Sequence, residues 1–143
     1  MLEEVKVIVE SYNLLNTKVG KVDYKFFESE KEECLYYFYP LLERLCREYL
    51  AETNRWSIEV YENNRYKTLN SILSSNIIHT EELTERIRSI YQEDGPRNKY
   101  MHGGFFTSEG YVQGLITDVK QIVFCMMIFK VLSSNSSSEC QKD

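Results

Sequence analysis

The apolar residues of this chain recur mostly three and four positions apart, the spacing that places side chains on one face of an α-helix. Residues 2–16 follow this spacing, although alternating valines within them also permit a strand. The spacing is clearest from about residue 28 to residue 51, where Ser29 begins a sequence that resembles a capping box. Pro40 lies in the middle of this stretch, and it must either kink the helix or divide it in two because it has no N–H to donate.

The rest of the chain predicts three further helices and one irregular segment. We interpret residues 52–64 as a loop with a short extended piece, which Trp56 anchors to the core. A short helix is expected over residues 65–75. Thr80 is a good N-cap for the helix that follows, because its hydroxyl can accept a hydrogen bond from a free backbone N–H. A last helix is expected over about 109–132, and its part from Ile122 to Leu132 is apolar nearly all round, which predicts the central position in a bundle.

These elements predict an all-α fold, an up-and-down bundle of about five helices. The chain has 143 residues, enough for one buried core, and its 6 glycines and 2 prolines disfavour a turn-rich β fold. We expect a single domain over residues 1–132 and a disordered, serine-rich tail over residues 133–143. The aromatic run 36–39 is expected mainly to fill the core and interfaces, although such rings can also stack on bases.

The charge balance limits the binding partners. A net charge of −5 disfavours binding to nucleic acid over a broad basic face, but it permits a local basic site. Arg86, Arg88, Arg97 and Lys99 lie close together in the sequence. The cysteines have no metal-ligand spacing, so we expect neither a metal nor another cofactor. The chain has no signal-peptide pattern, and its longest apolar run is too short to span a bilayer. A cytoplasmic protein without membrane contact is expected.

Residues 94–104, Asp-Gly-Pro-Arg-Asn-Lys-Tyr-Met-His-Gly-Gly, contain the candidate chemistry. Pro96 suits the first position of a short helix, and the paired glycines can end that helix. Arg97 then lies in the first turn, where free N–H groups and the helix dipole favour an anion such as phosphate. His102 can carry a proton near neutral pH. The two side chains lie about 140° apart around the helix and about 7.5 Å apart along it, so both can border one groove.

An arginine that binds an anion and a histidine that carries a proton are the minimum set for attack of an RNA 2′-hydroxyl on its own phosphodiester. This reaction needs a base for the nucleophile and an acid for the leaving group. The other histidine, His79, lies in a predicted loop between other helices and is expected to be a plain loop or cap residue. A two-fold dimer can bring two copies of His102 to one groove. The residues therefore predict RNA as the substrate and a composite site in a homodimer.

Residues 97–103, Arg-Asn-Lys-Tyr-Met-His-Gly, resemble the signature of the HEPN superfamily: Arg, a polar residue that is often Asn, a few variable residues, and then His, often followed by Gly. Members of that superfamily are compact, usually dimeric helical bundles. Many are metal-independent endoribonucleases of toxin–antitoxin, phage-defence or CRISPR-associated systems. The resemblance implies that Arg97 and His102 are catalytic at a dimer interface, with Asn98 in support. Gly104 departs from the toxins paired with nucleotidyltransferase antitoxins, which carry an aromatic residue there, so that pairing does not follow.

Two interpretations remain open. In the first, the chain is an endoribonuclease in which Arg97 holds the scissile phosphate, His102 is the general acid and base, Asn98 supports them, and Lys99 and Arg88 bind RNA. An antitoxin or a larger defence complex is then an expected partner. In the second, Arg97 and His102 form a buried pair that stabilises the bundle. The chain is then a non-catalytic module that binds a nucleotide, RNA or a protein partner.

Overall fold

The computed structural model of the chain describes residues 2–15, 21–65, 67–92, 95–97 and 109–142. Over these residues the fold is all-helical and contains no strand, which confirms the predicted all-α class, with seven described helices in place of about five. None of the helices in this part of the chain is long and apolar enough to cross a bilayer. The described helices are α1 Leu2–Leu15, α2 Lys25–Glu28, α3 Cys34–Thr53, α4 Ile58–Arg65, α5 Leu69–Leu73, α6 Glu81–Tyr91 and α7 Glu109–Lys142.

Helix α7 packs against both α1 and α3, which confirms the central position that its sequence predicts. Among the side chains of α7 whose burial the structure describes, the buried ones lie between Val112 and Met127, whereas Leu132 is 58% exposed. The buried part ends earlier than predicted because α3 ends nearby: Lys130 of α7 already pairs with Glu52, one residue before the last residue of α3. The helix continues to Lys142, past the end predicted near residue 132. The disorder of the tail stays a prediction.

Helix α3 runs through Pro40 as one element, so the proline does not divide it. The helix begins later than predicted, however, because residues 25–28 form the separate helix α2 and Ser29 then adopts an extended conformation. Lys120 of α7 donates to the carbonyl of Phe27 at 3.0 Å, which satisfies the C-terminal end of α2. This contact between distant parts of the chain stabilises a break that the local pattern did not reveal.

Helix α4 lies where the sequence predicted a loop with an extended piece. Few of its side chains are apolar and buried, and Ile58 is 85% exposed, so the spacing of apolar residues gives no signal. Arg47 of α3 donates to the carbonyls of Asn64 and Lys67, at 2.7 Å each, near the C-terminal end of α4. The helix is therefore held in place through its carbonyls. Trp56 is partly buried against the core, as predicted.

The connection from α5 to α6 follows the sequence prediction. Thr80 is the N-cap of α6, and its Oγ1 accepts from the N–H of Leu83 at 3.1 Å. The fully buried Thr84 accepts from the N–H of Ile78 and donates to the carbonyl of Thr80, both at 2.8 Å. Its hydroxyl therefore holds the loop between the two helices in a single conformation. His79 lies in this loop, as predicted, and its ring stacks on that of Phe129, with the ring centroids 4.4 Å apart.

Candidate functional site

Residues 95–97 lie beside the end of α6, where the N–H of Gly95 donates to the carbonyl of Gln92 at 2.9 Å, and Arg97 reaches α3. Gly95 is buried against the last turn of α6, where an added Cβ would lie 2.6 Å from the carbonyl oxygens of both Ser89 and Ile90. Only glycine permits this close approach of two backbones. Pro96 and Arg97 have helical conformation, as expected if the motif helix begins at Pro96.

Arg97 forms an ion pair with Glu43, in the middle of α3. Arg97 Nη2 lies 3.7 Å from Glu43 Oε2, and the two side chains are 29% and 22% exposed. Burial raises the pKa of the Glu43 carboxyl, and the positive charges of Arg97 and Arg47 oppose that rise. Burial, with the nearby Glu43 carboxylate, also raises the pKa of Tyr91 well above its ordinary value. The guanidinium of Arg97 is thus held at the edge of the bundle, between the core and solvent.

The remaining residues predicted for the motif, Asn98, Lys99 and His102, lie outside the described residues. Their distances to Arg97, their catalytic or RNA-binding roles and the composite dimer site therefore stay predictions. The sequence pattern did not single out Glu43. It occurs as one acid within an amphipathic helix, and no local signal relates it to an arginine on another element.

Arg88, predicted to bind RNA, is held between two helices. It pairs with Glu85 one turn earlier and donates to the Leu73 carbonyl at the end of α5. This tie between α5 and α6 is a structural role that the sequence did not reveal, and RNA binding by Arg88 stays a prediction. Arg86 pairs with Asp118 on α7 at 3.6 Å. The basic residues that cluster in the sequence thus extend towards different elements.

Two surface depressions involve the elements that carry the Arg97–Glu43 pair. The first, the α6–α7 cleft, has a volume of about 680 Å³ and is lined by residues that include Pro96, Arg86 and Asp118. The second, the α3 groove, has a volume of about 380 Å³. Its lining residues are Lys21, Tyr36, Tyr37, Pro40, Leu41 and Arg44. The first is lined by Pro96, which precedes Arg97 in the chain, and the second by Arg44, which follows Glu43 in the chain.

Among the described residues, side chains that ligate metals do not gather near this site. Within the described ranges, no group of three or more His, Cys, Asp or Glu side chains could hold a metal ion. Cys34 and Cys46 are buried, unpaired thiols, and Cys125 is partly buried. Burial raises the pKa of both buried thiols, which makes them poor nucleophiles.

The described residues define an all-α helical bundle with an arginine–glutamate pair at its edge and with two surface depressions. Comparison of the chain with models of protein families, with curated proteins and with solved structures found no match.

Proposed function

We propose that the chain is a metal-independent endoribonuclease that resembles the HEPN superfamily and acts as a homodimer in a toxin or antiviral defence system. The observation that carries this proposal is the position of Arg97. It begins the motif that resembles the HEPN signature, and the ion pair with Glu43 holds its guanidinium at the edge of the bundle with part of the side chain exposed to solvent. A guanidinium in such a position can bind phosphate through two parallel hydrogen bonds.

In the proposed reaction, the 2′-hydroxyl oxygen forms a bond to the adjacent phosphorus and the bond from phosphorus to the 5′ oxygen breaks. The proton of the 2′-hydroxyl goes to a base, and the 5′ oxygen takes a proton from an acid. His102 from each subunit fills these two roles, Arg97 neutralises the charge that develops on the phosphate, and Asn98 supports them. Lys99 and Arg88 contact the RNA backbone. The products carry a 2′,3′-cyclic phosphate and a 5′-hydroxyl, and none of these steps requires a metal.

The test is RNA cleavage in the presence of EDTA by the wild-type chain, Arg97→Ala and His102→Ala. Arg86→Ala is a matched control, because it removes a neighbouring arginine that pairs with Asp118 instead of Glu43. We expect both motif variants to lose cleavage and the control to retain it. Cleavage by both motif variants would contradict the proposal. Loss of wild-type cleavage with EDTA alone would indicate a metal-dependent enzyme.

One observation favours the alternative of a non-catalytic binding module. Arg97 is more than two-thirds buried and pairs with Glu43, as expected of an arginine that stabilises the fold. In that case the wild-type chain binds RNA, a nucleotide or a protein partner without cleaving RNA. The conservative variant Arg97→Lys separates the two functions. It keeps the positive charge beside Glu43, but it loses the planar fork that binds phosphate.

A further inference from the structure

The α3 groove is lined by charged and aromatic side chains that are not part of the proposed catalytic motif. Lys21 and Arg44 supply two positive charges, and none of its six described lining residues is acidic. The positive charge of Arg44 is partly compensated by Glu48, because Arg44 Nε lies 3.8 Å from Glu48 Oε1. Lys21 is exposed. The groove is therefore a local positive site on a chain whose net charge is −5, and it favours an anionic ligand.

The aromatic side chains of the groove differ in their roles. Tyr37 is part of a rigid wall: its ring stacks on Phe26 with centroids 3.8 Å apart, and its Oη accepts from the N–H of Asp23 at 2.8 Å. Tyr36, in contrast, is 54% exposed. A partly exposed ring next to a fixed wall and two cations is the combination that binds a base together with its phosphate.

The groove and the Arg97–Glu43 pair share one side of α3. Tyr36, Pro40 and Glu43 occupy positions i, i+4 and i+7 of α3, which places them on one side of the helix. Tyr36 and Glu43 are thus about 10 Å apart along the helix axis. An extended ligand that contacts Arg97 beside Glu43 can follow this side of α3 into the groove.

We propose that the α3 groove binds a nucleotide of single-stranded RNA next to the scissile phosphate, with its base stacked on Tyr36 and a phosphate held by Lys21 and Arg44. This inference rests on the proposed function and names its substrate class. The strand must be single, because the faces of bases in a duplex are covered by their neighbours and cannot reach a tyrosine ring.

The test measures binding of the His102→Ala chain to a fluorescent single-stranded RNA of about 12 nucleotides, a length typical of single-strand sites. Adding Tyr36→Ala should weaken binding roughly 5- to 150-fold, the loss expected for one stacked base. Tyr36→Phe keeps the ring and should restore most of the affinity. A duplex RNA of the same length should bind with no dependence on Tyr36.

The positive charge is tested by the dependence of affinity on salt. Lys21→Ala should make the slope of log affinity against log salt less negative by about 0.7, the value for one phosphate contact with a single strand. Lys6→Ala is the matched control, because it removes an exposed lysine from α1, outside the groove. Its slope should equal that of the parent chain.

Three results would overturn the groove assignment: no binding of single-stranded RNA by the parent chain, unchanged affinity in Tyr36→Ala, or equal slopes in the two lysine variants. Failure of the proposed nuclease function would give a different set of results. In that case Arg97→Ala and His102→Ala retain cleavage, or the wild-type chain does not cleave RNA, while binding to single-stranded RNA still depends on Tyr36.

Discussion

The ion pair between Arg97 and Glu43 should make the two partners unequal in their contribution to stability. Arg97→Ala leaves a carboxylate that is 22% exposed with less positive charge around it. Glu43→Gln, in contrast, removes a carboxylate whose ionisation burial disfavours, and it leaves an arginine that is 29% exposed to solvent. We therefore expect Arg97→Ala to lower the free energy of unfolding by about 2 kcal/mol and Glu43→Gln by less than about 1 kcal/mol.

The size of the coupling follows from the geometry. Unit charges 3.7 Å apart attract by about 4.5 kcal/mol at an effective dielectric constant of 20. Partial exposure and the cost of desolvation remove much of this attraction. We expect a net coupling of about 1–2 kcal/mol, above the 0.2–1 kcal/mol of fully exposed pairs.

A double-mutant cycle measures this coupling. The wild-type chain, Arg97→Ala, Glu43→Gln and the double variant are unfolded in urea at neutral pH, and the double variant should lose less stability than the sum of the single variants. A double variant equal to that sum would refute the interaction. Equal losses in the two single variants would refute the argument that the buried carboxylate is the costly partner.

The pH dependence of stability tests the environment of Glu43 independently, because the direction of its pKa shift fixes whether stability rises or falls with pH. The pKa of Glu43 is raised above its ordinary value of 4.5, so the folded state binds this proton more tightly than the unfolded state does. The resulting stabilisation is present below pH 4.5 and is lost as the pH rises through the folded-state pKa. The stability of the wild-type chain relative to Glu43→Gln should therefore fall over this range. In Arg97→Ala the fall should extend to higher pH, because a positive charge that opposes the shift is gone.

Two further substitutions test the framework around the site, both by urea unfolding. Gly95→Ala should lower the free energy of unfolding by about 1–3 kcal/mol and reduce RNA cleavage, because the added Cβ would lie 2.6 Å from two carbonyl oxygens. The control Gly110→Ala has open space around it, so its stability should be unchanged or higher. Equal losses of stability in the two variants would contradict the steric argument. Thr84→Val should lower the free energy of unfolding by about 1–3 kcal/mol, because it leaves the buried N–H of Ile78 without its acceptor. The control Thr117→Val, at an exposed position, should change stability by less than about 0.5 kcal/mol. An equally small change in Thr84→Val would refute the role of its hydroxyl.

The sequence alone determined the fold class and the elements whose signals are local. Helix α1 and helix α6 follow the spacing of apolar residues, and Thr80 caps α6 as its side chain predicts. The position of Arg97 at the start of the motif also follows from local signals, since Pro96 suits a first helical position. Such signals depend on residues within one or two turns, so the chain itself contains them.

Only the tertiary structure decided what Arg97 contacts. Glu43 lies on another helix, and no spacing rule connects the two residues. The same holds for α4, a mostly polar helix whose end is held by Arg47, and for the break between α2 and α3, where Lys120 satisfies a carbonyl. Each of these features depends on a cation reaching across the fold to an oxygen atom on a distant segment. The distance between such groups is set by how the helices pack, which the order of residues along one helix does not specify.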